Sequence, residues 1–180
     1  MELTPTSYVV LGMLANGPQS GYDIKQLADI STRHFWAISY GQIYPELKRL
    51  VKAGLVKAED ASRGTRPRTI HHLTAKGRQV FNAWVTDTEV RKLEIRDEML
   101  LKLFFSDAST RKDTVRLLAA MSERHMQTAA ALRANEPMAA SRDHRMKYEV
   151  LKFGVGLHTW CADFYSSLAK DLDRVRETKR

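Results

Sequence analysis

Apolar residues in the first part of the chain recur at helical spacing in two successive stretches. Thr4 to Ala15 contains the run YVVLGMLA, which is apolar on nearly every side. This pattern predicts a helix at the centre of a small domain. Ser20 stands where an N-cap residue is expected, so a second helix is predicted over residues 21–30. The inner stripe of that second helix consists of Ile24, Leu27 and Ala28.

A third helix is predicted to begin just after Gly41, and in this helix apolar and polar residues separate onto opposite faces. Rotation by about 100° per residue places one apolar arc inward, formed by Ile43, Leu47, Leu50 and Val51. The outward face starts with small or neutral groups and continues with cations: Gly41, Gln42, Pro45, Lys48, Arg49 and Lys52. We expect Pro45 near the start of the helix, where its missing N–H costs little, and Gly54 at its end.

The segment after the third helix has the pattern of a hairpin with a cationic tip. A strand is predicted on each side of the polar arm KAEDASRGTRPR, in which Gly64 and Pro67 turn the chain. The arm carries three arginines: Arg63, Arg66 and Arg68. Guanidinium groups this close repel one another unless anions lie nearby, and phosphates match their geometry. The order of helix, strand, basic loop and strand is that of a winged helix-turn-helix.

Beyond residue 90 the pattern is helical, with helices predicted over residues 94–105, 110–134 and 141–176. The last helix has an apolar seam formed by Leu157, Cys161, Phe164, Leu168 and Leu172. Three such helices leave more apolar edge than a monomer can easily bury, so we expect a homodimer through residues 95–175. The predicted fold class is mainly α with a small β-wing. A winged helix-turn-helix domain over residues 1–90 precedes an α-helical dimerisation domain over residues 91–180.

Composition narrows the possible functions. Of the formal net charge of +8, residues 1–85 carry +5 and residues 86–180 carry +3, which favours a polyanion as partner of the first domain. Neither an apolar run long enough to span a membrane nor a secretory signal is present in this sequence. A single cysteine excludes an internal disulfide. We therefore expect a cytoplasmic protein without a membrane partner.

The sequence offers little support for catalysis or for a cofactor. It contains no HExxH, CxxC or glycine-rich phosphate loop, so we predict no enzyme, no bound metal and no cofactor. We interpret His125 on the apolar seam as a core or interface histidine with a hydrogen-bond partner. A small aromatic effector is a possible partner. The aromatic residues Trp36, Phe153, Trp160 and Phe164 either line a pocket for it or fill ordinary core.

A DNA duplex is the partner that the helix and the loop together favour. Base reading is assigned to the first turns of the third helix, through Ser39, Tyr40, Gly41, Gln42 and Pro45. Gln42 can pair with adenine, whereas Tyr40 turns partly inward. Phosphate contacts are assigned to Lys48, Arg49, Arg63, Arg66 and Arg68. The alternative is a ligand-sensing or protein-interaction module that uses a winged-helix fold without binding DNA.

Three motifs resemble the PadR family of bacterial transcriptional regulators: YVVLGMLANGPQSGYDIKQL, SYGQIYPELKRLVKAGLV and HHLTAKG. The resemblance implies a ligand-responsive homodimeric repressor, less often an activator, that binds a two-fold symmetric operator. It also implies that Tyr22 and Tyr44 lie near the phosphate backbone. One departure is the pair His71-His72, where many relatives carry a tyrosine, so a phosphate contact from this strand is left open.

Overall fold

The computed structural model describes residues 2–62, 68–89, 95–136 and 145–174. The chain divides into two compact units, Met1–Lys92 and Leu93–Arg180. The described part of the first unit combines four α-helices with a small antiparallel sheet, and the described part of the second unit is helical. This is the predicted fold class, mainly α with a small β-wing. None of the described helices is both long and apolar enough to cross a membrane.

In the first unit, side-chain caps fix where two of the early helices begin. Helix α1 spans Pro5–Ala15, and the Thr4 side chain caps it. A two-residue strand β1, Gln19–Ser20, leads into helix α2, Gly21–Ile30. Ser20 and Asp23 form a capping box, in which each side chain accepts from the other's backbone N–H. These boundaries agree with the sequence prediction for both helices.

Helix α3, Tyr40–Lys52, begins two residues earlier than predicted. Ser39 caps it together with Gln42. Pro45 is therefore the sixth residue of the helix, and the prediction that it stands at the helix start is wrong. Its ring removes the hydrogen bond to the Gly41 carbonyl, which an exposed first turn tolerates because water can reach that carbonyl. Gly54 ends the helix as predicted, with a φ of 70° that favours glycine.

The sheet has three strands in the order β1-β3-β2. Strands β2, Val56–Asp60, and β3, Thr69–Leu73, pair antiparallel with Ala58 opposite His71. The short strand β1 adds to the other edge of β3, with Gln19 opposite His71. The sequence pattern did not indicate this third strand because two residues are too short for an alternation to register. The pairing ties the start of α2 to the strand that leaves the wing.

The core of the first unit lies where α1 crosses α2 and α3. It consists of Val10, Leu11, Met13, Leu14, Ile24, Ala28, Ile38, Ile43, Leu47, Leu50, Leu55 and Val56. Helix α4, Ala75–Thr86, covers this core with Val80 and Phe81. Gly77 in α4 lies so close to strand β2 that an added Cβ would stand 2.1 Å from the Leu55 carbonyl oxygen.

The second unit contains helix α5, Glu98–Phe104, helix α6, Arg111–Arg133, and helix α7, Arg145–Arg174. Helix α5 starts later than predicted because the Asp97 side chain accepts from the backbone N–H of Met99 at 2.7 Å and so caps the helix. Helices α6 and α7 pack along their lengths. Leu118, Met121 and Tyr165 form their buried centre, and a Cβ at Gly154 would meet Leu132 at 3.2 Å.

Candidate nucleic-acid interface

A wide groove of about 1440 Å³ runs between α3 and the strands of the wing. Its helix side is formed by Tyr44, Leu47, Lys48, Val51 and Lys52. The wing side is formed by Ala58, Ala61, Arg68, Thr69, Ile70 and His71, and the start of α2 closes one end. We call this the α3–wing groove. Lys48 and Lys52 are exposed here, one helical turn apart, as the predicted outward face requires.

Three tyrosines form a stacked row at the α2 end of this groove, where α3 begins. The rings of Tyr22 and Tyr40 lie 6.4 Å apart, and those of Tyr40 and Tyr44 lie 6.2 Å apart. All three rings are exposed, so Tyr40 lies on the same surface as its neighbours although the helical wheel turned it inward. Lys25 lies over the Tyr40 ring, 5.6 Å from its centroid. The row presents three phenol groups together on one surface, and the Lys25 ammonium that lies over it is paired with Asp29.

Gly21 makes room for the last ring of this row. An added Cβ at Gly21 would stand 2.6 Å from Cε1 of Tyr44, which is closer than real Cβ contacts. The start of α2 therefore packs directly under the tyrosine that the resemblance places near phosphate. The glycine is needed here because of this close approach and not because of its backbone conformation.

Two of the predicted base-reading residues serve as the cap of α3. The Gln42 side-chain oxygen accepts from the Ser39 backbone N–H at 2.9 Å and from the Ser39 hydroxyl at 3.1 Å. A glutamine that pairs with adenine uses both its oxygen and its amide nitrogen. Gln42 can read a base in this way only if it gives up the cap. Gly41 and Pro45 are exposed on the same turn, as predicted.

Arg49 lies apart from the α3–wing groove and is tied to the body of the unit. Its Nη1 donates to Glu46 at 2.8 Å, and its Nη2 donates to the Glu2 backbone carbonyl at 3.0 Å. Glu46 is only 5 % exposed and also accepts from the Ser7 hydroxyl at 2.6 Å. The role of this buried carboxylate on α3 was not predicted from the sequence, because a single glutamate on the inner arc does not indicate its partners. Arg49 joins α3 to the start of the chain and is a weaker phosphate candidate than Lys48.

The wing is described up to the base of its tip. Arg63 and Arg66 lie outside the described residues, so their predicted phosphate contacts stay predictions. Arg68 lines the α3–wing groove, and its Nη2 donates to Asp23 of α2 at 3.0 Å. His71, at the floor of the groove, is 8 % exposed, and burial lowers the pKa of its imidazole. Its Nδ1 is buried without a hydrogen-bond partner.

In the second unit the predicted dimer seam divides into two faces of α7. Cys161, Leu168 and Leu172 are partly buried and pack against the buried centre formed with α6. Their part in a dimer stays a prediction. Leu157 and Phe164 are instead exposed. They belong to a stripe that we call the outer stripe, formed by Met146, Val150, Phe153, Leu157, Trp160 and Phe164. Its members are 41 % to 71 % exposed, and their spacing alternates between four and three residues.

The predicted effector residues do not form an enclosed pocket within the second unit. Phe153, Trp160 and Phe164 are exposed on the outer stripe, and the rings of Trp160 and Phe164 stack at 5.5 Å. Trp36 is exposed in the first unit, so its grouping with the α7 aromatics stays a prediction. Trp160 also borders an open groove of about 550 Å³ between the end of α6 and α7. Arg133 and Lys152 bring positive charge to this groove, and Glu136 and Asp163 bring negative charge.

A histidine pair lies between α6 and α7. His125 is 6 % exposed, its Nδ1 lies 2.8 Å from Nδ1 of His158, and its ring stacks on Tyr165. This agrees with the prediction of a core histidine with a hydrogen-bond partner. Burial lowers the pKa of His125, and burial also raises the pKa of the Cys161 thiol, which disfavours a reactive thiolate.

Together, the helix order of the first unit, the three-stranded sheet and the α3–wing groove define a winged helix-turn-helix protein with a helical carboxy-terminal unit. A family model described as "Transcriptional regulator PadR-like family" matches residues 10–83, and one described as "Virulence activator alpha C-term" matches residues 95–173. The first unit belongs to the PadR-like family of transcriptional regulators. The family is a class of regulators and not of enzymes, so both of these sequence predictions are confirmed.

Similarity to individual proteins extends over nearly the whole chain. The "Negative transcriptional regulator PadR" of Bacillus subtilis is 26% identical over 170 residues, covering 94% of this chain and 88% of that protein. A crystal structure of Bacillus subtilis PadR in complex with operator DNA superposes with a TM-score of 0.85 at 24% identity, covering 92% of this chain and 98% of that one. A structure of the same regulator with p-coumaric acid has a TM-score of 0.77 at 23% identity, with coverage of 96% and 99%. These structural likenesses show the fold.

Proposed function

We propose that this protein is a ligand-responsive homodimeric repressor that binds a two-fold symmetric operator through the α3–wing groove. The observation that carries the proposal is the convergence of the tyrosine row, Lys48, Lys52 and Arg68 on one side of the first unit. Cations and phenol hydroxyls are the groups that hydrogen-bond phosphate oxygens in protein–DNA complexes. We expect the protein to act in the cytoplasm, where its DNA lies.

Within this surface we assign different tasks to different residues. Lys48 and Lys52 contact phosphates as point charges, and Tyr22 and Tyr44 donate hydroxyl hydrogen bonds to the backbone. Gly41 and Pro45 let the first turn of α3 approach base edges closely. Gln42 fixes the start of α3 as its primary task, because its oxygen already serves the Ser39 cap.

The outer stripe supports a homodimer with a second copy of the chain as its partner. Alternating steps of three and four residues are the spacing with which two helices interlock their side chains. Burying each apolar side chain contributes about 1–2 kcal/mol. Six from each copy would together offset an association cost of roughly 4–15 kcal/mol. A C2 dimer of this kind presents two α3 helices to a palindromic site.

The dimer is tested by placing a charge on the outer stripe. Phe153→Asp should convert the protein to a monomer in sedimentation equilibrium at micromolar concentration, because a carboxylate cannot be buried unpaired in an apolar interface. Lys170→Asp puts the same side chain at an exposed position off the stripe and should leave the dimer intact. A wild-type monomer, or a dimer that persists in Phe153→Asp, would contradict the proposed interface.

The effector is proposed to be a small aromatic acid bound near Trp160. The open groove beside Trp160 offers apolar contact from Leu151 and Val155 and positive charge from Arg133. The solved complex of Bacillus subtilis PadR with p-coumaric acid makes this acid the first probe to use. Saturable quenching of tryptophan fluorescence by p-coumaric acid, lost in Trp160→Phe, is the expected result. Unchanged quenching in Trp160→Phe would move the site elsewhere, and no quenching at all would leave this acid without a role.

DNA binding itself is tested by in vitro selection of duplexes with the full-length protein. The expected outcome is a sequence with two-fold symmetry and half-sites about one or two helical turns apart. A reporter gene behind that sequence should fall in expression when the protein is present, as expected of a repressor. Recovery of no enriched sequence would favour the alternative of a ligand-sensing or protein-interaction module that does not bind DNA.

A further inference from the structure

Asp23 is an unexpected residue in the α3–wing groove. Among the residues that the structure places along this groove it is the one carboxylate. A negative charge on a surface that faces phosphates opposes DNA binding, so we expect Asp23 to have another role in this groove. Its contacts indicate what that role is.

One oxygen of Asp23 gathers donors from two parts of the first unit. Oδ2 accepts from the Ser20 backbone N–H at 2.9 Å, from the Ser20 hydroxyl at 2.7 Å and from Nη2 of Arg68 at 3.0 Å. The Ser20 hydrogen bonds, assisted by Arg68, hold the pKa of this carboxyl below its usual value. The carboxylate thus caps α2 and binds the wing at the same time.

The other end of this contact is fixed by the backbone of the wing. The Arg68 carbonyl accepts from the Ala61 backbone N–H at 2.8 Å, and the Arg68 backbone N–H donates to the Ser62 hydroxyl at 3.1 Å. Arg68 therefore stands at the hydrogen-bonded base of the hairpin. Its side chain then spans from that base to the cap of α2.

We infer that Asp23 is a positioning residue for DNA recognition, which fixes the base of the wing relative to α2 through Arg68. This inference rests on the proposed function, because it assumes that α3 and the wing engage one duplex together. A tie between the two elements sets the separation of the two DNA-contacting edges before DNA arrives. Preorganisation of this kind reduces the ordering cost of binding.

The tie affects specific and random DNA differently. A specific complex requires α3 and the wing to fit the duplex at the same time, so it gains from a fixed separation. Random DNA is held mainly by charge in a loose arrangement and does not need that fit. The pair is partly open to solvent, with Arg68 57 % and Asp23 37 % exposed, so its contribution is modest.

The test measures binding of the full-length protein to two duplexes of equal length. One is the sequence recovered by in vitro selection with the wild type, and the other has a random sequence. Asp23→Asn keeps an oxygen that can accept from Ser20 and loses the charge that holds Arg68. Arg68→Gln breaks the same pair from the wing side without touching the cap, so it serves if Asp23→Asn unfolds. Asp113→Asn is the matched control, because it removes the same charge from a carboxylate at the start of α6 in the second unit, where Asp113 accepts from the Thr110 hydroxyl and pairs with Arg116.

We expect Asp23→Asn and Arg68→Gln each to lower the ratio of specific to random affinity by about two- to fivefold. The double variant should lower it no further than either single change, and Asp113→Asn should leave it unchanged. A ratio that stays constant in Asp23→Asn, or a double variant whose effects multiply, would overturn the positioning role. If the wild type itself binds neither duplex, the proposed function fails. If the wild type binds and the variants have the same affinity ratio, only the positioning role of Asp23 fails.

Discussion

The buried carboxylate of Glu46 gives a sharp test of how α3 is held in place. Glu46 accepts from the fully buried Ser7 hydroxyl of α1 at 2.6 Å and from Arg49 at 2.8 Å. A hydrogen bond to a charged group contributes about 1.5–3 kcal/mol, and the half-exposed ion pair adds up to about 1 kcal/mol. Glu46→Ala should therefore lower the free energy of unfolding of the first unit by about 2–4 kcal/mol.

The assay is urea denaturation followed by tryptophan fluorescence, since Trp84 stacks on Tyr8 within the same unit at 4.4 Å. Glu46→Gln keeps an acceptor for Ser7 and loses the ion pair, so its loss should be smaller, about 1 kcal/mol. In a double-mutant cycle, Ser7→Ala and Glu46→Ala should couple by at least about 1 kcal/mol. If Glu46→Ala stays within about 0.5 kcal/mol of the wild type, the contact does not anchor α3.

Two further changes test other parts of the molecule. Gly21→Ala should displace the Tyr44 ring, because the new Cβ would stand 2.6 Å from it. Duplex binding should then weaken in a fluorescence anisotropy titration. An unaltered affinity would show that the position of this ring does not matter for binding. His125 should make the second unit less stable in acid. Burial lowers its folded pKa, so the unfolded chain takes up a proton first and the free energy of unfolding falls as pH drops below about 6.5. Urea denaturation between about pH 7.5 and 5 should show this fall in the free energy of unfolding for the wild type and a smaller fall for His125→Phe. An equal fall in both proteins would assign the pH dependence to other groups, such as His71.

Much of the first unit follows from residues whose signals are local. Ser20 predicted the start of α2, Gly54 predicted the end of α3, and the apolar arc of α3 proved to be its buried face. Each depends on neighbours within one helical turn. The position of Pro45 was misjudged because the true cap, Ser39, recruits Gln42 three residues on, which moves the helix start towards the amino terminus.

The buried face of α7 in the second unit was harder to predict from the sequence, because this helix is apolar on two adjacent faces. At about 100° per residue, the inner face through Cys161 and Leu172 and the outer stripe through Phe153 and Trp160 lie roughly 90° apart. The predicted seam lay between these two faces and combined residues from both of them. Periodicity alone cannot decide which face meets α6, since both faces have the same spacing. The packing against Leu118 and Met121 decides it.

Contacts between residues far apart in sequence were beyond any local pattern. The tie between Asp23 and Arg68 joins positions 45 residues apart, and the contact of Ser7 with Glu46 joins positions 39 apart. Arg49 and Arg68 were both predicted to contact phosphates. The carboxylate partner of Arg68 is 45 residues away, whereas Glu46, the partner of Arg49, lies only three residues before it. The structure shows that each already has a carboxylate partner, whereas no ion pair among the described residues involves Lys48 or Lys52.

The salt dependence of duplex binding tests the central claim most directly. Binding constants of the full-length protein for a selected duplex, measured over a range of potassium chloride concentrations, should fall linearly on logarithmic axes. Replacing Lys48 and Lys52 together by alanine should reduce the slope by about two units, because each lost phosphate contact removes about 0.9. Arg49→Ala should leave the slope unchanged, since its guanidinium faces Glu46. A wild-type slope near zero, or a slope that falls with Arg49→Ala and not with the two lysines, would contradict DNA binding through the α3–wing groove.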